Sequence, residues 1–141
     1  MEPLDLTWLA DGSRLLVDAA PIIYVLESHP VWSPRFEPLF ALHGEGRIAL
    51  AVSTVTLAEV LTGPLAAGEE SLARRYRAVL ESWQLVDWTP DIAEQAARLR
   101  GRYKLKLPDA VQLASALAIN ADALVTHDRD FGKVRGLRII S

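Results

Sequence analysis

Four stretches of the sequence set a carboxylate against apolar neighbours: Leu15-Leu-Val-Asp18, Leu57-Ala-Glu59-Val-Leu, Leu107-Pro-Asp109-Ala-Val, and Leu124-Val-Thr126-His-Asp128-Arg-Asp130-Phe. An unpaired carboxylate in such a setting is costly. If Asp18, Glu59, Asp109 and Asp128 converge, they cannot all ionise without a cation, because like charges a few ångströms apart raise one another's pKa. A hard divalent ion, Mg²⁺ or Mn²⁺, meets that need, since it takes oxygen ligands, keeps several waters and shares its remaining positions with phosphate. Such ions activate water and stabilise the leaving oxygen in phosphodiester hydrolysis. Little else in the chain offers chemistry. There is no cysteine, which excludes disulfides, thiolate zinc sites and cysteine nucleophiles, and His29, His43 and His127 show no metal-ligand spacing.

Each acid also has an explanation that needs no reaction. Asp18 ends an apolar run and suits a turn former; Asp128 and Asp130 suit a turn for the same reason. Glu59 suits a rim position, its carboxylate reaching water from a short helix. For Asp109 the chain supplies its own control, because Leu107-Pro108-Asp109 repeats the pattern of Thr89-Pro90-Asp91. Both place Pro-Asp in a first helical turn, where a negative charge complements the helix dipole. Asp91 heads an amphipathic surface helix, whereas from Ala110 to Ile119 only Gln112 and Ser115 are polar, so Asp109 heads a helix expected to be buried on most sides.

These acids must be positioned by a framework, and the chain of 141 residues, half of them apolar and 23% charged, fits one folded domain. Residues 1–13 end in Ala10-Asp11-Gly12-Ser13, a turn signal, and read as an N-terminal extension to a single domain over 14–141. Strands are predicted at Arg14–Asp18, Arg47–Val52, Gln84–Trp88, Ala123–Thr126 and Leu137–Ile140. Between them, helices are expected from Pro21 to Glu27, to about His43, from Thr54 to Thr62 with Ser53 as N-cap and Gly63-Pro64 as the stop, over 68–82, from Pro90 to about Arg102, and from Pro108 to about Asn120. Alternating strands and helices predict a three-layer α/β/α sandwich around a mainly parallel sheet of about five strands. In such sheets the binding crevice lies beyond the carboxyl ends of the strands, which is where Asp18 and Asp128 fall. No apolar run reaches the roughly 18–20 residues of a membrane helix, and the start carries Glu2 and Asp5 without a basic segment, so a soluble cytoplasmic protein without a membrane role is expected.

The net charge of −3 is the wrong sign for a nucleic-acid partner, but it is unevenly spread. Residues 1–97 carry a net −8 and residues 98–141 a net +5. Arg98, Arg100, Arg102, Lys104 and Lys106 supply most of the excess and directly precede Asp109, so they are candidates to hold a phosphate backbone. A solvated helix end complementing the dipole explains them equally well. Two bound Mg²⁺ would also cancel the charge of the four acids and leave the whole at +1.

Together, the quoted blocks around Asp18, Glu59, Asp109 and Asp128, with Pro21-Ile-Ile-Tyr24 after the first and Ser53-Thr-Val-Thr56 before the second, resemble the PIN domain. The resemblance is to the VapC-type ribonuclease toxins of toxin–antitoxin pairs, and it spans about residues 14–141. It implies an Mg²⁺- or Mn²⁺-dependent endoribonuclease with Asp18, Glu59, Asp109 and Asp128 as the catalytic and metal-binding acids. Thr126 would be the orienting hydroxyl and Asp130 a less favoured fourth acid. It further implies an RNA substrate, a cognate antitoxin covering the acidic site, and a homodimer. One position departs from the family pattern: two residues after Asp18, where a polar side chain is usual, stands Ala20. Thinner hydrogen bonding around Asp18 is therefore expected, and the rival reading is a catalytically silent PIN-like module that binds RNA or protein. A receiver-type phosphoacceptor fits poorly, because Asp18 is followed by Ala19 rather than a second acid, and Lys133 lies beyond the acidic loop.

Overall fold

A computed structural model describes residues 1–141. Five short strands form one sheet: β1 (Arg14–Val17), β2 (Ala49–Ser53), β3 (Gln84–Val86), β4 (Ala123–Val125) and β5 (Arg138–Ile140). Their order is β3-β2-β1-β4-β5 and every pairing is parallel, in keeping with the expected sandwich and without an antiparallel edge. The central strands are almost unbroken apolar runs because helices cover both faces. Successive side chains alternate between them: Leu15 and Val17 join one core, and Leu16 the other.

The first face is covered by α1 (Ala19–Leu26), α2 (Ser33–Gly44), α3 (Thr54–Ala66) and α4 (Glu70–Glu81). These contribute Ile22, Phe36, Leu39, Val60, Tyr76 and Leu80 to the first core. The second face is covered by a hairpin of α5 (Pro90–Tyr103) and α6 (Leu107–Ala118), through Ile92, Ala96, Leu99, Val111 and Leu113 among others. No helix is long and apolar enough to cross a membrane. The segment before Arg14, expected as an extension, packs Leu6 and Leu9 into the first core and donates from the Gly12 amide to the Arg47 carbonyl at 2.7 Å.

Two boundaries differ from expectation for physical reasons. Helix α3 runs through Gly63-Pro64 instead of stopping there. Pro64 is buried, and its packing offsets the backbone hydrogen bond that the ring removes. The helix ends only before Gly68, whose φ of +73° is readily adopted without a side chain. Strand β1 ends at Val17 rather than Asp18, which becomes the N-cap of α1. Ser53 caps α3 as expected, accepting from the Thr56 amide at 3.2 Å.

Candidate active site

Every proposed acid is delivered by the carboxyl edge of the sheet. Asp18 follows the central strand, Asp128 and Asp130 follow β4 and open a 3-10 turn, Glu59 projects from α3 beyond β2, and Asp109 lies in the first turn of α6. Asp18, Glu59, Asp109 and Asp128 line a single cavity of about 300 Å³, together with Ala20, Tyr24 and His127. Within the group, Asp109, Asp128 and Asp130 present carboxylate oxygens that all lie within 4.8 Å of one another. Asp130, the less favoured acid, therefore sits closer to Asp109 and Asp128 than the sequence suggests. This is a donor set of the all-oxygen type that hard divalent ions take.

The electrostatics fit an ion. Asp109 is only 9% exposed, and its Oδ2 is buried with no hydrogen-bond partner. Burial, followed by the charges of Asp128 and Asp18, pushes its carboxyl up to about 7. Glu59 is also raised, first by burial and then by Asp18. No cation of the protein is paired with either acid.

Asp18 is held differently. It accepts from the Thr126 hydroxyl at 2.9 Å, from Gln112 Nε2 at 3.0 Å and from the Ala19 amide at 2.8 Å. The thin hydrogen bonding expected from Ala20 is not found, because Gln112 and Thr126 supply the donors from α6 and the end of β4. Gln112 is in turn fixed by the Ser53 hydroxyl, which donates to its Oε1 at 2.9 Å, and by a close contact with Thr56 Oγ1. Thr126 also accepts from the Asp128 amide at 3.1 Å, so one hydroxyl ties the two acids. Sequence reasoning missed the Ser53–Thr56–Gln112 network. Its signal was Gln112 itself, with Ser115 one of two polar residues in the otherwise apolar stretch from Ala110 to Ala116.

The remaining candidates are less concentrated. Because α5 and α6 form a hairpin, the basic end of α5 lies on the same side as Asp109. Arg98 is paired with Glu94 at 3.6 Å, Arg100 donates to the Leu105 carbonyl at 3.3 Å, and Arg102 lies over the Tyr103 ring at 5.2 Å. Lys104 and Lys106 are exposed and make no ion pair. Tyr24 and His127, unassigned by sequence, are joined at 3.0 Å between the hydroxyl and Nδ1. Burial, then Arg35 and Arg129, lowers the His127 pKa and favours the neutral ring.

Comparison with known proteins agrees with this arrangement. The PIN domain family matches residues 15–137. A chain of a toxin–antitoxin complex from Klebsiella pneumoniae is 31% identical, with 90% of this chain and 96% of that one covered at a TM-score of 0.69. VapC20 of Mycobacterium tuberculosis, a sarcin–ricin-loop-cleaving toxin, shares the fold at 17% identity, 90% and 99% coverage and a TM-score of 0.72. A VapBC2 chain from Rickettsia felis does so at 20% identity, 89% and 96% coverage and a TM-score of 0.71. No curated protein sequence matches the chain. The acids at one sheet edge, the all-parallel order and these likenesses have one reading in common: the chain belongs to the PIN-domain family of nucleases and has the fold of the VapC toxins.

Proposed function

We propose that this protein is a divalent-metal-dependent endoribonuclease, the toxin of a toxin–antitoxin pair. The observation that carries the reading is Asp109, a buried carboxylate with an unpartnered oxygen crowded by Asp128 and Asp130 and left without a protein cation. Asp18, Glu59, Asp109 and Asp128 would hold Mg²⁺ or Mn²⁺, with Asp130 beside them; when bound, the ion supplies Lewis-acid activation of water and charge neutralisation at phosphate. Thr126 and Gln112 keep Asp18 in one rotamer, which spares the reorganisation that a loose ligand costs. Glu59, with its raised proton affinity, is placed on the same cavity to accept a proton from the attacking water. Lys104 and Lys106 are the basic residues best suited to phosphate contact, since Arg98, Arg100 and Arg102 are engaged within the protein. An antitoxin partner is inferred from the toxin–antitoxin complexes that the chain resembles, and a homodimer from the family resemblance.

The test is cleavage of mixed RNA in Mg²⁺ or Mn²⁺, with and without chelator, by the wild type, Asp18→Asn and Asp109→Asn. Cleavage should require the ion and both acids; an unchanged rate in either variant overturns the assignment. Metal titrated against thermal unfolding separates the silent module, because ion binding raises the midpoint of the wild type but not of Asp109→Asn.

A further inference from the structure

A second cavity, of about 480 Å³, adjoins the acidic one. Trp32, Arg35, His127, Asp128, Arg129 and Ile139 are among its walls, and His127 and Asp128 line both cavities. Its aromatic side is fixed by packing. The Trp32 and His127 rings lie 4.2 Å apart between centroids, Tyr24 stacks on Trp32 at 6.1 Å, and Phe36 closes the cluster behind Tyr24 and His127. The Tyr24 hydroxyl bonded to His127 locks the wall between the cavities.

The charge here is opposite to that of the neighbouring cavity. Arg129 is exposed without a carboxylate partner, and Arg35 donates only to the main-chain oxygens of Glu2, at 3.0 Å, and Ser141. A preformed aromatic wall beside two cations suits a ligand with a flat ring and an anionic group, and the shared wall suits one that continues into the acid cluster. Single-stranded nucleic acid has that alternation, with π-faces for aromatic side chains and phosphates for arginines. A pocket of this size also lies in the range that encloses one nucleotide-sized ligand.

We infer that this cavity seats the nucleotide next to the scissile phosphate, with its base stacked on Trp32 and its own phosphate held by Arg129, the charge of Arg35 lying beside it. The inference rests on the nuclease reading above. It assigns Trp32 a role in substrate binding in a cavity that meets the acidic one at His127 and Asp128.

The test uses the full-length protein with Mg²⁺. The cut is first mapped on mixed RNA, and a short single-stranded RNA spanning it is then made with one abasic position at a time. For the wild type, one abasic position flanking the cut should raise KM about 10-fold, the size of one stacked base. Trp32→Leu should raise KM on the intact RNA by a similar factor and abolish the difference between intact and abasic RNA. Arg129→Gln, an exposed change with no packing cost, should weaken binding and reduce the slope of log KM against log salt by about one. If the abasic effect persists in Trp32→Leu, or both variants keep the wild-type KM, the inference is overturned. Loss of antitoxin binding with unchanged KM would likewise overturn it, assigning the cavity to the protein partner. If the wild type cleaves no RNA, or Asp109→Asn cleaves it normally, the nuclease reading itself fails.

Discussion

Helices α5 and α6 both carry Pro-Asp in their first turn, yet Asp91 lies in solvent and Asp109 is buried in a cluster of acids. In α5 the Thr89 hydroxyl accepts from the Ile92 amide at 3.2 Å, and Asp91 adds its charge to an already capped helix end. In α6 the position before the helix is Lys106, which makes no side-chain cap. The difference therefore lies in what each helix packs against. One face of α5 is apolar, whereas α6 is buried from Asp109 to Ala116, and that burial carries its first turn to the edge of the sheet. A local motif states where a helix begins; its neighbours decide whether the charge there is solvated or confined.

The largest expected effect separates the two aspartates directly. Asp109→Asn should reduce RNA cleavage at least about 100-fold, since even an outer partner of a metal ligand is worth 10–100-fold. Asp91→Asn should leave the rate within about two-fold, as expected of an exposed site. Equal losses in both variants, measured as initial rates under saturating Mg²⁺, would break the comparison.

A second pair compares glutamines on the same two helices. Gln112→Met removes the donor to Asp18 and the acceptor for Ser53 and should lower activity about 10–100-fold. Gln95→Met on α5 should change little. Raising the metal concentration should partly rescue Gln112→Met if Gln112 acts by holding Asp18, and that rescue is absent if the loss is a folding defect.

The third effect is one of pH. Asp109 is raised from 3.8 to about 7, so the metal-free folded protein binds more protons than the unfolded chain between those values. The stability contributed by protonated Asp109 is fully present below pH 3.8 and is lost as pH rises through about 7. The thermal midpoint of the metal-free protein should fall by on the order of a few degrees from pH 5 to pH 8. Asp109→Asn should flatten the fall, Asp91→Asn should not, and Mg²⁺ should raise the midpoint more at the higher pH. The smallest effect belongs to the cap: Thr89→Ala should cost about 1 kcal/mol, read as a drop of about 3 °C without loss of activity.

Much of this architecture is legible in the chain because parallel strands buried on both faces write themselves as short apolar runs, as at Leu15–Val17 and Ala123–Val125. The contrast between Asp91 and Asp109 is equally visible in the composition of the helices that follow them. Other features are invisible for a common reason. The bonds from Gln112 to Asp18 and from Tyr24 to His127 join residues about a hundred positions apart, and no local pattern encodes such a partner. Pro64 misleads for the opposite reason, since its local signal is a strong stop that only the packing of α3 overrides. The burial of Leu6 and Leu9 has no periodic signature because the segment that carries them forms no regular element.

The pairing of β1 with β4 has a consequence in time as well as in space. Asp18 and Thr126, bonded to each other across the sheet, are separated by 108 positions in the chain. Contacts between distant segments are slow to form and close late in folding. During synthesis, Asp18 and Glu59 emerge first, but the strand that aligns with β1 on its other side and brings Thr126, Asp128 and Asp130 is still unmade. A chain cut short before Thr126 lacks both the hydroxyl that steadies Asp18 and two members of the tight acid cluster. A nascent or truncated copy therefore carries only part of the acid cluster, and the complete cavity comes into being only once β4 and the loop after it have joined the sheet.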